Sequence, residues 1–298
     1  MDKDQNRISA KRVLFISFIV DLTDITLGVA VTILSGSVVM LSRALEGGAD
    51  LASSGILLFG LKRSIRKADP AHPFGYGKEL YFWALISALI MLTVTSTFTF
   101  YFGLERFLHP KTLDNTLLAY VVLIFTIITN GYALSLSVRR LLGRRPIIKI
   151  GSIFYQSSLI ETKTAFVLDL MGTSASVVGL IALLFYGITG NGQFDGLGAM
   201  IIGAILALLS LTLLTAIKDF LIGRGVSVGT VESIKKAAKR VEHVHSVEDL
   251  KATHIGSGQI LVNIEINAKN GLTTDELESF TDKVRAEIKK DLPQAEHI

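Results

Sequence analysis

The sequence predicts a membrane domain of six helices followed by a small soluble α+β domain. Three observations carry this prediction. Half of the 298 residues are apolar and only 19% are charged, against about a quarter charged in soluble chains. The apolar residues gather in six long windows, with most of the charge in the connections between them. The last quarter differs in kind. Residues 223–298 hold 11 Lys/Arg and 12 Asp/Glu, net −1, while residues 1–222 hold 19 and 14, net +5, which together make the chain's +4. Such apolar content excludes intrinsic disorder. Cysteine is absent, which excludes disulfides, thiolate metal sites and cysteine nucleophiles.

A spanning helix needs about 20 mainly apolar residues at about 1.5 Å rise each. The windows cover residues 13–34, 38–61, 80–102, 117–138, 164–186 and 197–217. They define a transmembrane domain over 1–222 and a C-terminal domain over 223–298. Ser35-Gly36-Ser37 joins the first two helices in a tight hairpin. The polar stretch before the first window, and the further spans after it, argue against a cleavable signal.

Orientation follows from the basic residues. The N-terminal segment has Lys3, Arg7, Lys11 and Arg12. The second connection adds Lys62, Arg63, Arg66, Lys67 and Lys78, and the fourth adds Arg139, Arg140, Arg144, Arg145 and Lys149. The opposite connections hold only Arg106 and Lys111. Fourteen against two places both termini in the cytoplasm, in a multi-pass integral membrane protein. Tyr81 and Trp83 are then expected at the membrane–water boundary.

The tail reads as helix, strand, strand, helix, short strand. Residues 231–241 have helical spacing, and strands are expected at 247–255 and 259–267, split by Gly256-Ser257-Gly258. Ile260, Val262, Ile264 and Ile266 alternate, which marks one buried face. Thr273-Thr274-Asp275-Glu276 fits a capping box opening a helix to about residue 290. This order is that of a ferredoxin-like α+β domain.

Ionisable residues inside spans are costly and usually face a cavity or a partner. The first helix has Asp21 and Asp24, the second Glu46 and Asp50, and the fifth Asp169. Glu46 and Asp50 are four apart, so their side chains share a helical face about 6 Å apart. Two carboxylates stay together in low dielectric only around a cation or proton. Glu46 and Asp50 lie 10 and 14 residues after Gly36, about 15 and 21 Å down at helical rise. Asp24 lies 12 residues before Gly36, about 18 Å down, and Asp21 one turn nearer the cytoplasm. Asp169 lies 18 residues before Gly187, about 27 Å in a straight helix and less if tilted. The competing reading is structural pairing, with Arg43, three residues before Glu46, as the first candidate partner and Lys163 as the second.

No histidine falls in the apolar windows, so an intramembrane metal site would be all-oxygen, which suits Mg, Mn, Ca or Fe(II) better than Zn. Carboxylates also take protons, so metal and protons can exchange at the same oxygens. The basic residues sit beside apolar spans rather than on one soluble face, which argues against nucleic-acid binding. No Ser/His/Asp triad can be assembled, since the histidines lie in connections and the tail, and the chain is not read as an enzyme. The tail's His243, His245, His254 and His297 give only a weak metal-binding pattern.

Almost the whole chain resembles the cation diffusion facilitators. The likeness rests on six helices with cytoplasmic termini, the Gly36-Ser37 hairpin, and Ala44-Leu45-Glu46-Gly47-Gly48-Ala49-Asp50 in the second helix. It rests also on Asp69-Pro70-Ala71-His72-Pro73-Phe74-Gly75-Tyr76-Gly77-Lys78, on Asp195-Gly196-Leu197-Gly198 opening the sixth helix, and on the tail's element order. The resemblance implies a homodimer, joined through the C-terminal domain, that exports divalent cations in exchange for protons by alternating access. Mn, Fe, Co and Zn are the candidate cargo, and no resident cofactor is implied.

The family's transport site pairs two ligands four apart on the second helix with two on the fifth. Carried over, these positions are Glu46, Asp50, Ala165 and Asp169. Ala165 departs from the pattern, so the expected ligands are Glu46, Asp50 and Asp169, with Asp24 as a further oxygen. Glu161, one turn before Ala165, is a weaker substitute. A second metal site in the family's connection would fall on Asp69 and His72. Ala165 also motivates the alternative, a transport-defective member acting as a dimer partner or metal sensor.

Overall fold

The computed structural model describes residues 10–143 and 145–298, with side chains from Ile19 onward except at 144. Lys3, Arg7 and Arg144, counted above for orientation, lie outside the described residues, as do the side chains of Lys11 and Arg12. The chain divides into two units: residues up to 59 with 83–217, and residues 60–82 with 218–298.

The first unit is helical because a backbone in hydrocarbon must satisfy its own hydrogen bonds. Helix α1 (Ala10–Ser35) turns at Gly36 into α2 (Val38–Ser64). Gly36 has φ +66°, a left-handed conformation that glycine adopts at no steric cost. Helices α3 (Glu79–Ile90) and α4 (Ser96–Leu108) form one rod interrupted by a π-turn at Met91–Thr95. There follow α5 (Thr116–Leu142), a short α6 (Ile150–Gln156), α7 (Ile160–Thr189) and α8 (Gln193–Ile222). Among the described residues, four helices are long and apolar enough to cross a membrane: Glu79–Leu108, Thr116–Leu142, Ile160–Thr189 and Gln193–Ile222. Helices α1 and α2 are of similar length, 26 and 27 residues, and carry Asp21, Asp24, Glu46 and Asp50.

Small residues set the distances between helices. A Cβ on Gly47 would stand 3.0 Å from the Ile25 backbone nitrogen and 3.3 Å from the Asp21 carbonyl oxygen. Glycine there lets α1 and α2 touch backbone to backbone, beside the acids of both helices. Helix α5 packs against α7 and α1, and α1 also meets α7. At the far end, Asp195 of α8 is fully buried. It accepts from Ser37 Oγ at 2.5 Å, the Val38 N–H at 2.8 Å and the Val39 N–H at 3.1 Å. It thus caps α2 from another helix, where an anion is favoured. Arg106 ties the same corner, donating to the Gly36 carbonyl at 2.7 Å and to Asp195 at 3.4 Å.

The second unit holds the tail: α9 (Val228–Lys239), β1 (Val244–Gly256), β2 (Gln259–Ala268), α10 (Thr274–Asp291) and β3 (Ala295–His297). The sheet order is β1-β2-β3, with β1 antiparallel and β3 parallel to β2. Ile260 and Val262 are buried against Ile234, Phe280, Val284 and Ile288, with Ile264 and Ile266 packed around them. The capping box is formed: Thr273 Oγ1 accepts from the Glu276 N–H, and Glu276 accepts from the Thr273 N–H at 2.8 Å. This is the expected element order, with a domain of helix and small sheet. One expectation is corrected here. Tyr81 is wholly buried, its ring 5.5 Å from that of Phe220, because it points into this unit rather than towards headgroups.

Candidate functional site

Besides Asp195, which caps the start of α2, five carboxylates among the described residues of the helical unit are buried: Asp21, Asp24, Glu46, Asp50 and Asp169. They sort into two layers, and the layering follows from counting along the helices. Asp24 and Glu46 lie 12 and 10 residues from Gly36, at similar depth once rise is taken as about 1.5 Å. Between them is Arg43, 2% exposed, whose Nη2 donates to Asp24 and whose Nη1 donates to Glu46. Asn130 of α5 adds a bond to Asp24 Oδ2 at 2.8 Å. Its side chain fits because α7 has Gly172 opposite, where a Cβ would come within 2.2 Å of Asn130 Oδ1. The guanidinium joins α2 to α1, and Asn130 joins α5 to the same Asp24.

The deeper layer contains Asp21, Asp50 and Asp169. Asp21 lies 15 residues before Gly36 and Asp50 14 after it, about 22 and 21 Å along their helices. Asp21 acts electrostatically on both Asp50 and Asp169. Asp169 accepts a hydrogen bond from Ser137 of α5. Asp21 Oδ2 and Asp50 Oδ1 are buried and have no hydrogen-bond partner among the described residues. As the side chains stand, no three His, Asp or Glu residues among those described are grouped so that they could hold a metal ion.

The other site residues expected from sequence have defined places. Ala165 is buried on α7 and offers no ligand. Glu161 lies 3.7 Å from Arg140, so it is placed to balance that arginine. Lys163 donates to the Tyr155 carbonyl at 3.2 Å. In the connection after α2, Asp69 organises a turn. Its Oδ1 accepts from the Ala71 and His72 N–H groups at 3.0 and 2.8 Å, and its Oδ2 from Tyr76 Oη at 2.6 Å. The Tyr76 hydroxyl first, and then the His72 N–H, hold the Asp69 carboxyl below its ordinary value. His72 stacks on Tyr76 at 4.1 Å, with its Nδ1 3.5 Å from Asp69. In the tail, His254 is buried in β1 beside Phe220, while His243 stands at a left-handed position, φ +73°.

Sequence reasoning gave Asp21 little weight and did not foresee Asn130 or Ser137. Nearly equal counts from the hairpin glycine, 15 residues to Asp21 and 14 to Asp50, were the available signal for the first. The two α5 residues carry no motif; only the packing of α5 on α1 and α7 brings them in.

Long apolar helices around buried, cross-linked acids define a helical membrane protein, and comparison with known proteins identifies the family. Residues 14–221 match the cation efflux transmembrane domain, and residues 227–298 match the cytoplasmic domain of cation efflux proteins. The chain belongs to the cation diffusion facilitator family, whose members are transporters rather than enzymes. Among its relatives is the mitochondrial proton-coupled zinc antiporter SLC30A9 of Mus musculus, 27% identical over 246 residues. That match takes in 81% of this chain but 43% of the relative, so the chain spans less than half of that protein's length. The magnetosome protein MamB of Paramagnetospirillum magneticum is 24% identical over 266 residues, covering 89% of this chain and 84% of MamB. The cation-efflux pump FieF of Shewanella oneidensis is 26% identical over 278 residues, covering 93% and 88%.

Proposed function

We propose that this protein exports a divalent metal cation in exchange for protons, with the cargo bound between Asp50 of α2 and Asp169 of α7. The reading takes the chain as a six-span homodimer with both termini in the cytoplasm, joined through its C-terminal domain. The observation that carries it is Asp50. This carboxylate is 5% exposed, on the same face of α2 as Glu46, with an oxygen that no described residue satisfies. A buried acid left in this state is costly unless a cation or proton joins it. The names of the relatives support the cargo class: a zinc antiporter, and a cation-efflux pump. Glu46 and Asp24 belong to the same cluster, but Arg43 holds them. Proton exchange needs no further group, because carboxylates vacated by the metal take up protons on the opposite side.

The test is transport by the full chain in liposomes under a pH gradient, with Mn, Fe, Co and Zn offered in turn. Metal-dependent proton flux is expected, and Asp50→Ala and Asp169→Ala are each expected to abolish it. Unchanged flux in Asp169→Ala would place the site elsewhere. A second reading, a member that no longer transports and serves as dimer partner or metal sensor, is favoured by Ala165 and by the Arg43 bridge. Intact dimers without flux for any of the four metals would select it.

A further inference from the structure

The family positions assign the second-helix ligands to Glu46 and Asp50, yet the two carboxylates have different surroundings here. Glu46 is bound to Arg43, whose other arm holds Asp24. A guanidinium does not give up its charge. Withdrawing a carboxylate from it inside the bundle leaves a buried charge partly uncompensated. A cargo cation that recruited Glu46 would therefore have to displace a fixed cation. One turn deeper the guanidinium donates no hydrogen bond, although its charge reaches both Asp21 and Asp50. Asp21 is 8% exposed and Asp50 5%. Each has an oxygen without a hydrogen-bond partner among the described residues, as do Asp24 and Glu46, but neither Asp21 nor Asp50 has its other oxygen held by Arg43. Asp21 also acts on the charge of Asp50. Both lie about the same distance from the hairpin, and the close approach at Gly47 keeps their helices in contact.

We propose that Asp21 of α1 is a third ligand of the cation site, and that Arg43 makes this assignment by holding Asp24 and Glu46 out of it. The inference rests on the antiporter reading above and changes its ligand set from two helices to three. The shell becomes Asp21, Asp50 and Asp169, closing when the cation enters. Three aspartates and no imidazole make a hard-oxygen shell, so the site takes a cation of the Mn(II) type in preference to Zn(II). Asp21 thereby supplies the charge missing at Ala165, from a different helix.

The experiment is calorimetric titration of the purified full-length protein in detergent with Mn(II), and separately with Zn(II), beside thermal melting without metal. Asp50→Asn, Asp21→Asn and Glu46→Gln are compared with the wild type. Affinity should fall by more than about 10-fold in Asp50→Asn and Asp21→Asn, and by less than about 3-fold in Glu46→Gln, where a neutral partner still receives Arg43. The melting temperature should fall in Glu46→Gln, which weakens the ion triad, and should not fall in Asp21→Asn, which loses no side-chain hydrogen bond to the described residues. Loss of affinity in Glu46→Gln with none in Asp21→Asn overturns the inference and restores the family assignment. Equal losses in all three variants also overturn it, since that pattern reports only the summed field of the cluster. If the wild type binds neither metal, or binds them as Asp50→Asn does, the antiporter reading itself fails and this inference with it.

Discussion

The helical unit and the C-terminal domain use charge in opposite ways. In the C-terminal domain ion pairs are exposed: Arg240 meets Glu287 at 2.9 Å and Asp291 at 2.6 Å, and Lys251 meets Asp249 at 2.9 Å. Water screens such pairs and they add little. The fold there rests on a small apolar core, and the charges are close to interchangeable. In the helical unit the charges are few, buried and tied to particular partners. Arg43 links α1 to α2, Asn130 links α5 to α1, and Ser137 links α5 to α7. Placing an ion there is expensive, so each one must either hold the helices or meet a cargo. Arg43 with Asp24 and Glu46 does the first, and the second is the role proposed for Asp21 with Asp50.

Paired arginine substitutions offer the sharpest test of this contrast. Arg43→Ala leaves Asp24 and Glu46 buried without their shared cation. Breaking a buried pair in this way costs about 3–5 kcal/mol. The expected result is a large drop in the melting temperature of the solubilised protein, while Arg240→Ala barely shifts it. Equal effects would show that the buried triad is no more structural than a surface pair.

The second test removes packing instead of charge. Ile288 of α10 is fully buried in the C-terminal core. Ile288→Ala leaves a cavity and costs about 2–5 kcal/mol. Hydrogen exchange should quicken in β2 and α10 and remain slow in α5 and α7. Cation affinity at the intramembrane acids should be retained. Faster exchange spreading through α5 and α7 would mean that the two units unfold together, and the contrast would fail.

The two regions also differ in how far the sequence discloses them. The tail is nearly all local pattern: alternation at Ile260, Val262, Ile264 and Ile266, and the four-residue capping box at Thr273. Its element order can therefore be read residue by residue. The helices are legible for a similar reason, as apolar length. The site is legible only in part. The spacing of Glu46 and Asp50 singles out one face, and Arg43 is a visible partner at three residues' distance. The choice between bridging and coordination is made across helices, by Asp24, Asn130 and the Gly172 contact, which no local pattern encodes. Tyr81 fails for a related reason. An aromatic beside a span marks the boundary only if it faces lipid, and its direction depends on the packing around Phe220.

The smallest expected effect concerns Asp69, an acid outside the spans whose partners are all local. Its carboxyl is held below the ordinary value, chiefly by the Tyr76 hydroxyl and then by the His72 N–H. A depressed folded-state value means that the carboxylate stabilises the turn above the unfolded-state value near 3.9. That stabilisation is lost as pH falls through the lower folded value. At neutral pH the turn is therefore fully supported, and only strong acid releases it. Tyr76→Phe removes the first cause and leaves the backbone donors. The Asp69 carboxyl should then titrate closer to its ordinary value, and the turn should loosen at less acidic pH, as followed by the carboxyl carbon shift of labelled Asp69. A titration identical to that of the wild type would show that the backbone donors alone set the value. The exposed acid would then resemble the buried ones, its state fixed by where the chain places it rather than by a replaceable side-chain partner.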